Sequence, residues 1–283
     1  MNYIKYIRKN EELIKSESVK VISFDKVKKT SFDNVKDTIF KEAYNEINQN
    51  KGISRDDIFH EVDNHNLLKA FMMMLLWGGA FPSNINRVLK VEEIDGKLER
   101  TYNLINGINE GPCNVEKAFE LMFEESNIND DEPSNRIDGI GVSFLTKVLY
   151  FFDKSKTGAE ALIFDKWSQL EHCALIIANN EDLRDFYRIK PTKRSIKITS
   201  YRKNIYELYD DYMTRMRNIA SSLGMDNTGK LEEFLFGYSL GSIEDKKCQE
   251  LDKKQNIAES SNPRRFLVNY LNNHINQCSV TNT

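Results

Sequence analysis

Two glycines separated by one residue, Gly139-Ile140-Gly141, stand directly before an apolar segment with helical spacing, 142–152. A G-x-G turn bends the backbone tightly and brings several amide N–H groups to the same side. At the amino end of a helix, such amides bind phosphate without reading a base sequence. The motif therefore predicts a phosphate seat formed by these three residues and Ser143. A purely structural turn between two helices would show the same glycines.

An aspartate, Asp165, follows the apolar run Leu162-Ile163-Phe164 and lies 24 residues beyond Gly141. The residues after it have the spacing of a helix that continues to Ala178, so Asp165 is predicted to stand at a helix start. The positive end of the helix dipole favours a carboxylate there. Capping the helix is a common role for aspartate, and it is compatible with a chemical role.

These features together resemble the helix-hairpin-helix DNA glycosylase superfamily, whose pattern is L-P-G-x-G, a helix, a loop and V-D at a helix start. More narrowly, GIGVSFLTKVLYFF followed by ALIFDKWS resembles bacterial proteins with the 8-oxoguanine DNA glycosylase fold, among them proteins that act in defence against phage. The specific match covers residues 137–168. Trp77-Gly78-Gly79 and Leu231–Phe236 extend it, so we map the fold onto about residues 60–240.

The resemblance implies that Asp165 is the essential carboxylate. Cleavage of an N-glycosidic bond builds positive charge on the sugar, which a nearby carboxylate stabilises. The same group can orient or deprotonate the attacking nucleophile.

Members that also cut the strand carry a lysine two residues after the second hairpin glycine, where it forms a Schiff base with the sugar. This chain has Ser143 at that position, which puts lyase activity in doubt and favours a monofunctional enzyme. Lys147 lies one helical turn later on the same face and is the candidate nucleophile. A phosphate contact or a solvated lysine are the alternatives.

Glycosylases sandwich the extruded base between aromatic or apolar groups. The candidates for such a base pocket are Trp77, Trp167, Phe234 and Phe236. For each of them, plain core packing is the alternative and the more common role of such a residue.

A basic segment from Arg184 to Lys203 holds eight basic residues against one acid, although the net charge of the chain is −3. Such a segment is typical of a surface that contacts the DNA backbone, and a solvated helix or loop is the alternative. The residues predicted to contact DNA here are Arg188, Lys193, Arg194 and Lys197.

The composition is that of a globular protein, with 40% hydrophobic and 29% charged residues in 283. The chain opens without the apolar core of a signal peptide, and no apolar stretch is long enough to span a bilayer. We therefore expect a cytoplasmic protein without a membrane partner. The four cysteines and four histidines are scattered, so we expect reduced thiols and neither a metal nor another cofactor.

Apolar periodicity predicts a mainly α fold with one short N-terminal strand at Ser18–Phe24. Helices are predicted around 64–77, 115–123, 142–152, 165–178, 204–223 and near the C-terminus. Residues 87–104 are predicted to combine a turn at Asp95-Gly96 with further helix, and residues 231–237 to end the core. We divide the chain into an N-terminal helical extension (1–60), a glycosylase-like core (61–243) and a polar C-terminal extension with one helix (244–283).

The leading hypothesis is a DNA N-glycosylase that flips out and excises a modified or damaged base. An oxidised purine such as 8-oxoguanine and a hypermodified base of phage DNA are both open as substrates. The alternative is a non-catalytic DNA-binding or partner-binding protein that keeps the fold, and Ser143 with the acidic net charge favours it. A third hypothesis is a helical scaffold in which the glycines and Asp165 are structural.

Overall fold

The computed structural model confirms the mainly α fold and the short N-terminal strand. It describes residues 1–16, 22–23, 37–49, 52–80, 82–90, 93–108, 114–123, 135–153, 161–191, 196–200, 205–236 and 262–280. The helices are α1 (Tyr3–Lys9), α2 (Glu11–Ser16), α3 (Thr38–Gln49), α4 (Arg55–Asp63), α5 (Leu67–Trp77), α6 (Pro82–Val88), α7 (Ile94–Ile105), α8 (Val115–Phe123), α9 (Val142–Phe152), α10 (Lys166–Ala178), α11 (Ile205–Ser222), α12 (Thr228–Phe236) and α13 (Pro263–Val280). The strands are β1 (Ile22–Ser23), β2 (Gly52–Ile53), β3 (Tyr187–Pro191) and β4 (Ile196–Ser200).

The chain forms two compact units. One is continuous and comprises residues 18–163, and the other joins residues 1–17 to residues 164–283. The boundaries that we predicted at residues 60 and 243 fall inside these units, and the three-part division stays a prediction.

The continuous unit is built around α5, which α3, α4, α7 and α9 contact. Every residue of α5 from Ala70 to Trp77 is buried, because this helix is apolar on all its faces. Helix α9 packs against it and is buried from Leu145 to its last residue, Phe152. The short strands β1 and β2 pair antiparallel within the same unit.

The discontinuous unit is built around α10, which contacts α1, α11, α12 and α13. Its two terminal segments are packed together through aromatic rings: Tyr6 of α1 stacks on Phe266 of α13 with ring centroids 3.8 Å apart. Burial of these rings supplies a large apolar area and fixes the terminal helices to the same core.

Two local predictions are wrong. Asp95-Gly96 is not a separate turn but belongs to the first turn of α7, a helix that the buried side chains of Leu98, Tyr102 and Ile105 hold against the core despite the low helix propensity of glycine. The basic segment is not a helix or open loop throughout, because β3 and β4 form an antiparallel hairpin within it.

Among the described residues, no helix is both long and apolar enough to cross a membrane. Cys173 is a free, buried thiol. Cys113 and Cys248 lie outside the described residues, as does the side chain of Cys278.

Candidate nucleic-acid interface and active site

Gly139 is fixed by the fold of the continuous unit. Its φ of +94° lies in the region that favours glycine, and its carbonyl accepts a hydrogen bond of 2.9 Å from Asn84 Nδ2 of α6. A Cβ atom at this position would stand 2.8 Å from the Cβ of Arg87 and 3.1 Å from the carbonyl oxygen of Asn84. The glycine turn is therefore pressed against α6, and any side chain here would push the two apart.

At position 141, by contrast, neither the backbone conformation nor the surrounding space requires a glycine. Gly141 is the N-cap of α9 with an extended backbone, φ −110° and ψ −176°, and an added Cβ atom would meet nothing within 4 Å. Without a side chain, Gly141 cannot cap the first amides of α9, those of Val142 and Ser143, and they have no partner inside the helix. Open space next to uncapped helix amides is the geometry of an anion seat.

Lys147 of α9 is 3% exposed and reaches back along its own helix to Ser143. Its Nζ donates to the carbonyl oxygen and to the Oγ of Ser143, both at 3.0 Å, and it lies 5.3 Å from the ring centroid of Phe144. The amine is thus held beside Ser143, one turn before its own Cα.

Gly78 explains how α9 comes so close to the end of α5. A Cβ atom on Gly78 would stand 2.6 Å from Phe144 Cε1 and 3.2 Å from the Cδ of Lys147. The glycine after Trp77 therefore makes room for the side chains of Phe144 and Lys147.

Trp77 lies in a buried aromatic cluster of the continuous unit. Its ring meets Phe151 edge-on at 5.5 Å, and the guanidinium of the buried Arg55 lies 5.5 Å from its centroid. Arg55 also donates to the hydroxyl of Tyr150 at 2.7 Å. The indole N–H of Trp77 is buried and has no acceptor among the described residues.

Asp165 stands at the start of α10, as predicted, and caps it. Its Oδ1 accepts from the amide of Trp167 at 2.7 Å and from the amide of Ser168 at 3.3 Å. The side chain is half-buried, and α10 buries Leu170 and the residues that follow in the core of its unit. The carboxylate is therefore oriented through one oxygen by a rigid helix end.

Trp167 and Arg264 lie beside this carboxylate. The half-buried ring of Trp167 lies 4.5 Å below the guanidinium carbon of Arg264, which belongs to the first turn of α13. Arg264 is 9% exposed; burial lowers its pKa to about 10, and attraction to the Asp165 carboxylate opposes that shift. Sequence reasoning missed Arg264, because only the fold brings α13 to α10.

Of the other predicted pocket residues, Phe234 is 2% exposed and packs in the discontinuous unit, with its ring 6.3 Å from that of Tyr6. Phe236 lies at the end of α12, and its side chain is outside the description. The role of either residue in a base pocket stays a prediction.

The basic hairpin has a register in which Arg188 pairs with Thr199 and Lys190 with Lys197. Paired residues of an antiparallel ladder belong to the same face, and consecutive residues of one strand belong to opposite faces. Arg188, Lys190 and Lys197 therefore share a face, and Tyr187 belongs to the other. Lys193 and Arg194 lie in the connection 192–195, outside the described residues.

The other face of the hairpin is anchored to α10 through Tyr187, which is 2% exposed. His172 Nε2 lies 2.8 Å from Asp211 Oδ2, and His172 Nδ1 lies 2.8 Å from the Tyr187 hydroxyl. Burial lowers the pKa of His172, although Asp211 opposes this. The neutral ring then donates from Nε2 to the carboxylate and accepts from the tyrosine. Helix α10, which Asp165 caps, therefore also holds the basic hairpin through the contact between His172 and Tyr187.

These features define a class of protein, namely a helical protein with a glycine turn and an aspartate at a helix start. A comparison with protein families agrees with this class. Residues 28–236 match the family described as "Putative 8-oxoguanine DNA glycosylase OGG-like protein". The chain belongs to this family. No match was found among the curated proteins or among the solved structures.

The family match covers the glycine turn, Lys147, Asp165 and the basic hairpin, and it ends with α12. Arg264 lies beyond it. The sequence did contain a signal for the hairpin. Apolar and polar residues alternate, with the period of a strand, in Tyr187-Arg188-Ile189-Lys190 and in Ile196-Lys197-Ile198-Thr199.

Proposed function

We propose that this protein is a monofunctional DNA N-glycosylase in which Asp165 is the catalytic carboxylate. The family match supports the class of enzyme. The observation that carries the proposal is the position of Asp165: a half-buried carboxylate, oriented by two amides at a helix start, in the unit that also holds the basic hairpin.

In the proposed reaction, the bond between the sugar C1′ and the base nitrogen breaks, and its electron pair leaves with the base. Asp165 stabilises the positive charge that develops on the sugar. A water oxygen bonds to C1′ and gives a proton to the carboxylate, and the departing base nitrogen takes up a proton in turn. The products are the free base and an abasic sugar in an intact strand.

Each unit offers the DNA backbone its own contact in this proposal. In the continuous unit, the uncapped amides of α9 beside Gly141 bind a phosphate. In the discontinuous unit, the face of the hairpin with Arg188 and Lys197 binds further phosphates. Neither contact reads a base, so specificity belongs to the groups that receive the extruded base.

The substrate class that we propose is a modified base, either an oxidised purine such as 8-oxoguanine or a hypermodified base of phage DNA. The family description favours the first. Mass spectrometry of bases released from damaged oligonucleotides and from modified phage DNA distinguishes a role in repair from one in defence.

The test of the catalytic carboxylate is Asp165→Asn. Asparagine is an equally good helix cap, so folding and DNA binding are expected to persist while base release falls by about a thousandfold or more. Asp182→Asn is the matched control, since Asp182 also caps a helical turn in the same unit, through the Arg184 amide. Unchanged release by Asp165→Asn would contradict the assignment.

The test of monofunctional chemistry is borohydride trapping. A Schiff base needs a free amine, whereas the Nζ of Lys147 donates to Ser143. We expect released base without a covalent protein–DNA adduct. An adduct that disappears in Lys147→Ala would instead establish Lys147 as the nucleophile, and DNA binding without release of any base would favour the non-catalytic hypothesis.

A further inference from the structure

Arg264 is a buried cation in a place that the family match does not reach. The match ends at residue 236, whereas Arg264 belongs to the first turn of α13. It is 9% exposed, although arginine is rarely so buried unless its charge is compensated. Among the groups that it meets are the ring of Trp167 and the charge of Asp165, both at the start of α10.

The contacts form a short chain from the arginine to the carboxylate. The guanidinium carbon of Arg264 lies 4.5 Å from the centroid of Trp167, a distance at which a cation and an aromatic face attract each other. The amide of Trp167 in turn donates to Asp165 Oδ1 at 2.7 Å. The residue under the guanidinium is thus one of the two whose amides orient the carboxylate.

We propose that Arg264 is a positioning residue for Asp165: through Trp167 and by charge attraction it holds the first turn of α10 in the geometry that base release requires. This inference rests on the proposed role of Asp165. It adds to the proposed active site a residue of the C-terminal helix, which lies beyond the family match over residues 28–236.

Arg264 is largely removed from water, so its attraction to the carboxylate is screened less than it would be at an exposed site. Burial lowers its pKa to about 10, so the arginine stays charged at neutral pH. Loss of this charge would remove its attraction from the half-buried carboxylate and would uncover the ring of Trp167. A misplacement of a reacting group by about 1 Å can cost about a hundredfold in rate.

The experiment compares Arg264→Ala with Arg265→Ala in the full chain. Arg265 is the next residue of α13 and is half-buried, so its loss removes the same charge from the same turn. We expect Arg264→Ala to slow single-turnover base release about tenfold to hundredfold, with DNA binding within about twofold of the wild type. Arg265→Ala is expected to stay close to the wild type.

Rescue distinguishes positioning from a merely structural role. Guanidinium chloride at millimolar concentration, far below denaturing levels, is expected to restore release by Arg264→Ala, whereas equal sodium chloride is not. Tryptophan emission gives a readout that does not need activity, because Trp167 is one of only two tryptophans. The variant's emission should shift to the red, and guanidinium should reverse the shift.

Wild-type release by Arg264→Ala would overturn the inference and leave the proposed function intact. The same holds if the folded variant is slow but guanidinium restores neither its rate nor its emission. If Arg264→Ala does not fold, Arg264→Lys and Arg264→Met replace it, and the charged variant must be the faster one. A wild-type protein that releases no base from any substrate contradicts the proposed function itself and this inference with it.

Discussion

At the scale of single residues, Gly139 and Gly141 belong to one turn but are glycines for different reasons. Gly139 has a positive φ and no room for a Cβ atom beside Arg87. Gly141 has a conformation that any residue adopts and open space in front of it. The fold therefore does not explain why residue 141 is a glycine. In our proposal the reason is a phosphate that binds close to the α9 amides.

Two substitutions separate these requirements. Gly141→Ser adds a capping oxygen to α9, so the free energy of unfolding is expected to stay the same or rise by up to about 1 kcal/mol, while DNA binding weakens because the hydroxyl fills the phosphate seat. Gly139→Ala is expected to lower stability by about 1–3 kcal/mol through strain and the clash with α6. Urea denaturation and fluorescence anisotropy with a DNA duplex measure the two effects. Normal DNA affinity of Gly141→Ser would contradict the phosphate seat.

At the scale of elements, α10 is held by polar contacts as well as by apolar packing. Glu171 is 1% exposed and accepts hydrogen bonds from the hydroxyls of Tyr3 on α1, at 3.0 Å, and Tyr212 on α11, at 3.1 Å. Burial raises the pKa of Glu171 to about 8, although the two tyrosine bonds oppose the shift. One carboxyl group thus links three helices of the discontinuous unit and is protonated near neutral pH.

This predicts a pH dependence of stability. Between the unfolded pKa of 4.5 and the folded pKa of about 8, the folded protein keeps a proton that the unfolded chain has lost. The contribution of Glu171 is therefore fully present below pH 4.5 and is lost as the pH rises through about 8, by at most about 1.4 kcal/mol per pH unit.

Urea denaturation at pH 5.5 and 7.5 measures this contribution. The wild type should lose stability over this interval relative to Glu171→Gln, which cannot ionise. Glu181→Gln is the control in the same unit, because Arg215 lowers the pKa of Glu181 and this group does not titrate in the interval. Parallel pH profiles of the wild type and Glu171→Gln would show that the carboxyl is ionised throughout.

At the scale of the whole molecule, a chain of net charge −3 concentrates its positive charge locally. The antiparallel register of β3 and β4 puts Arg188, Lys190 and Lys197 on one face, whereas in sequence they are separated by up to nine positions. Binding to a polyanion through such a face releases counterions and therefore depends on salt.

The double variant Arg188→Glu and Lys197→Glu tests this face. Loss of two phosphate contacts is expected to weaken DNA binding and to reduce the slope of log affinity against log salt by about 2. Lys41→Glu, a reversal at an exposed lysine of α3, should leave the slope unchanged. An unaltered slope in the double variant would place the DNA-binding surface elsewhere.

Much of the secondary structure followed from local pattern. The helices α5, α8, α9, α10 and α11 lie where apolar periodicity predicted them, and Asp165 caps α10 as its residue type suggested. The turn predicted at Asp95-Gly96 was wrong because tertiary packing overrode a local preference. The hairpin β3–β4 was missed because its strands are short, so the alternation of apolar and polar residues covers only a few positions. The segment was interpreted by its positive charge instead.

The sequence by itself determined the class of fold and its two chemical signals, the glycine turn and the aspartate at a helix start, because caps and tight turns depend on neighbouring residues. Tertiary structure alone decided which glycine of the turn the fold requires, since that depends on α6. It alone also brought Arg264 to Trp167 across about a hundred residues of chain, because a buried cation is stabilised by whatever the fold packs against it.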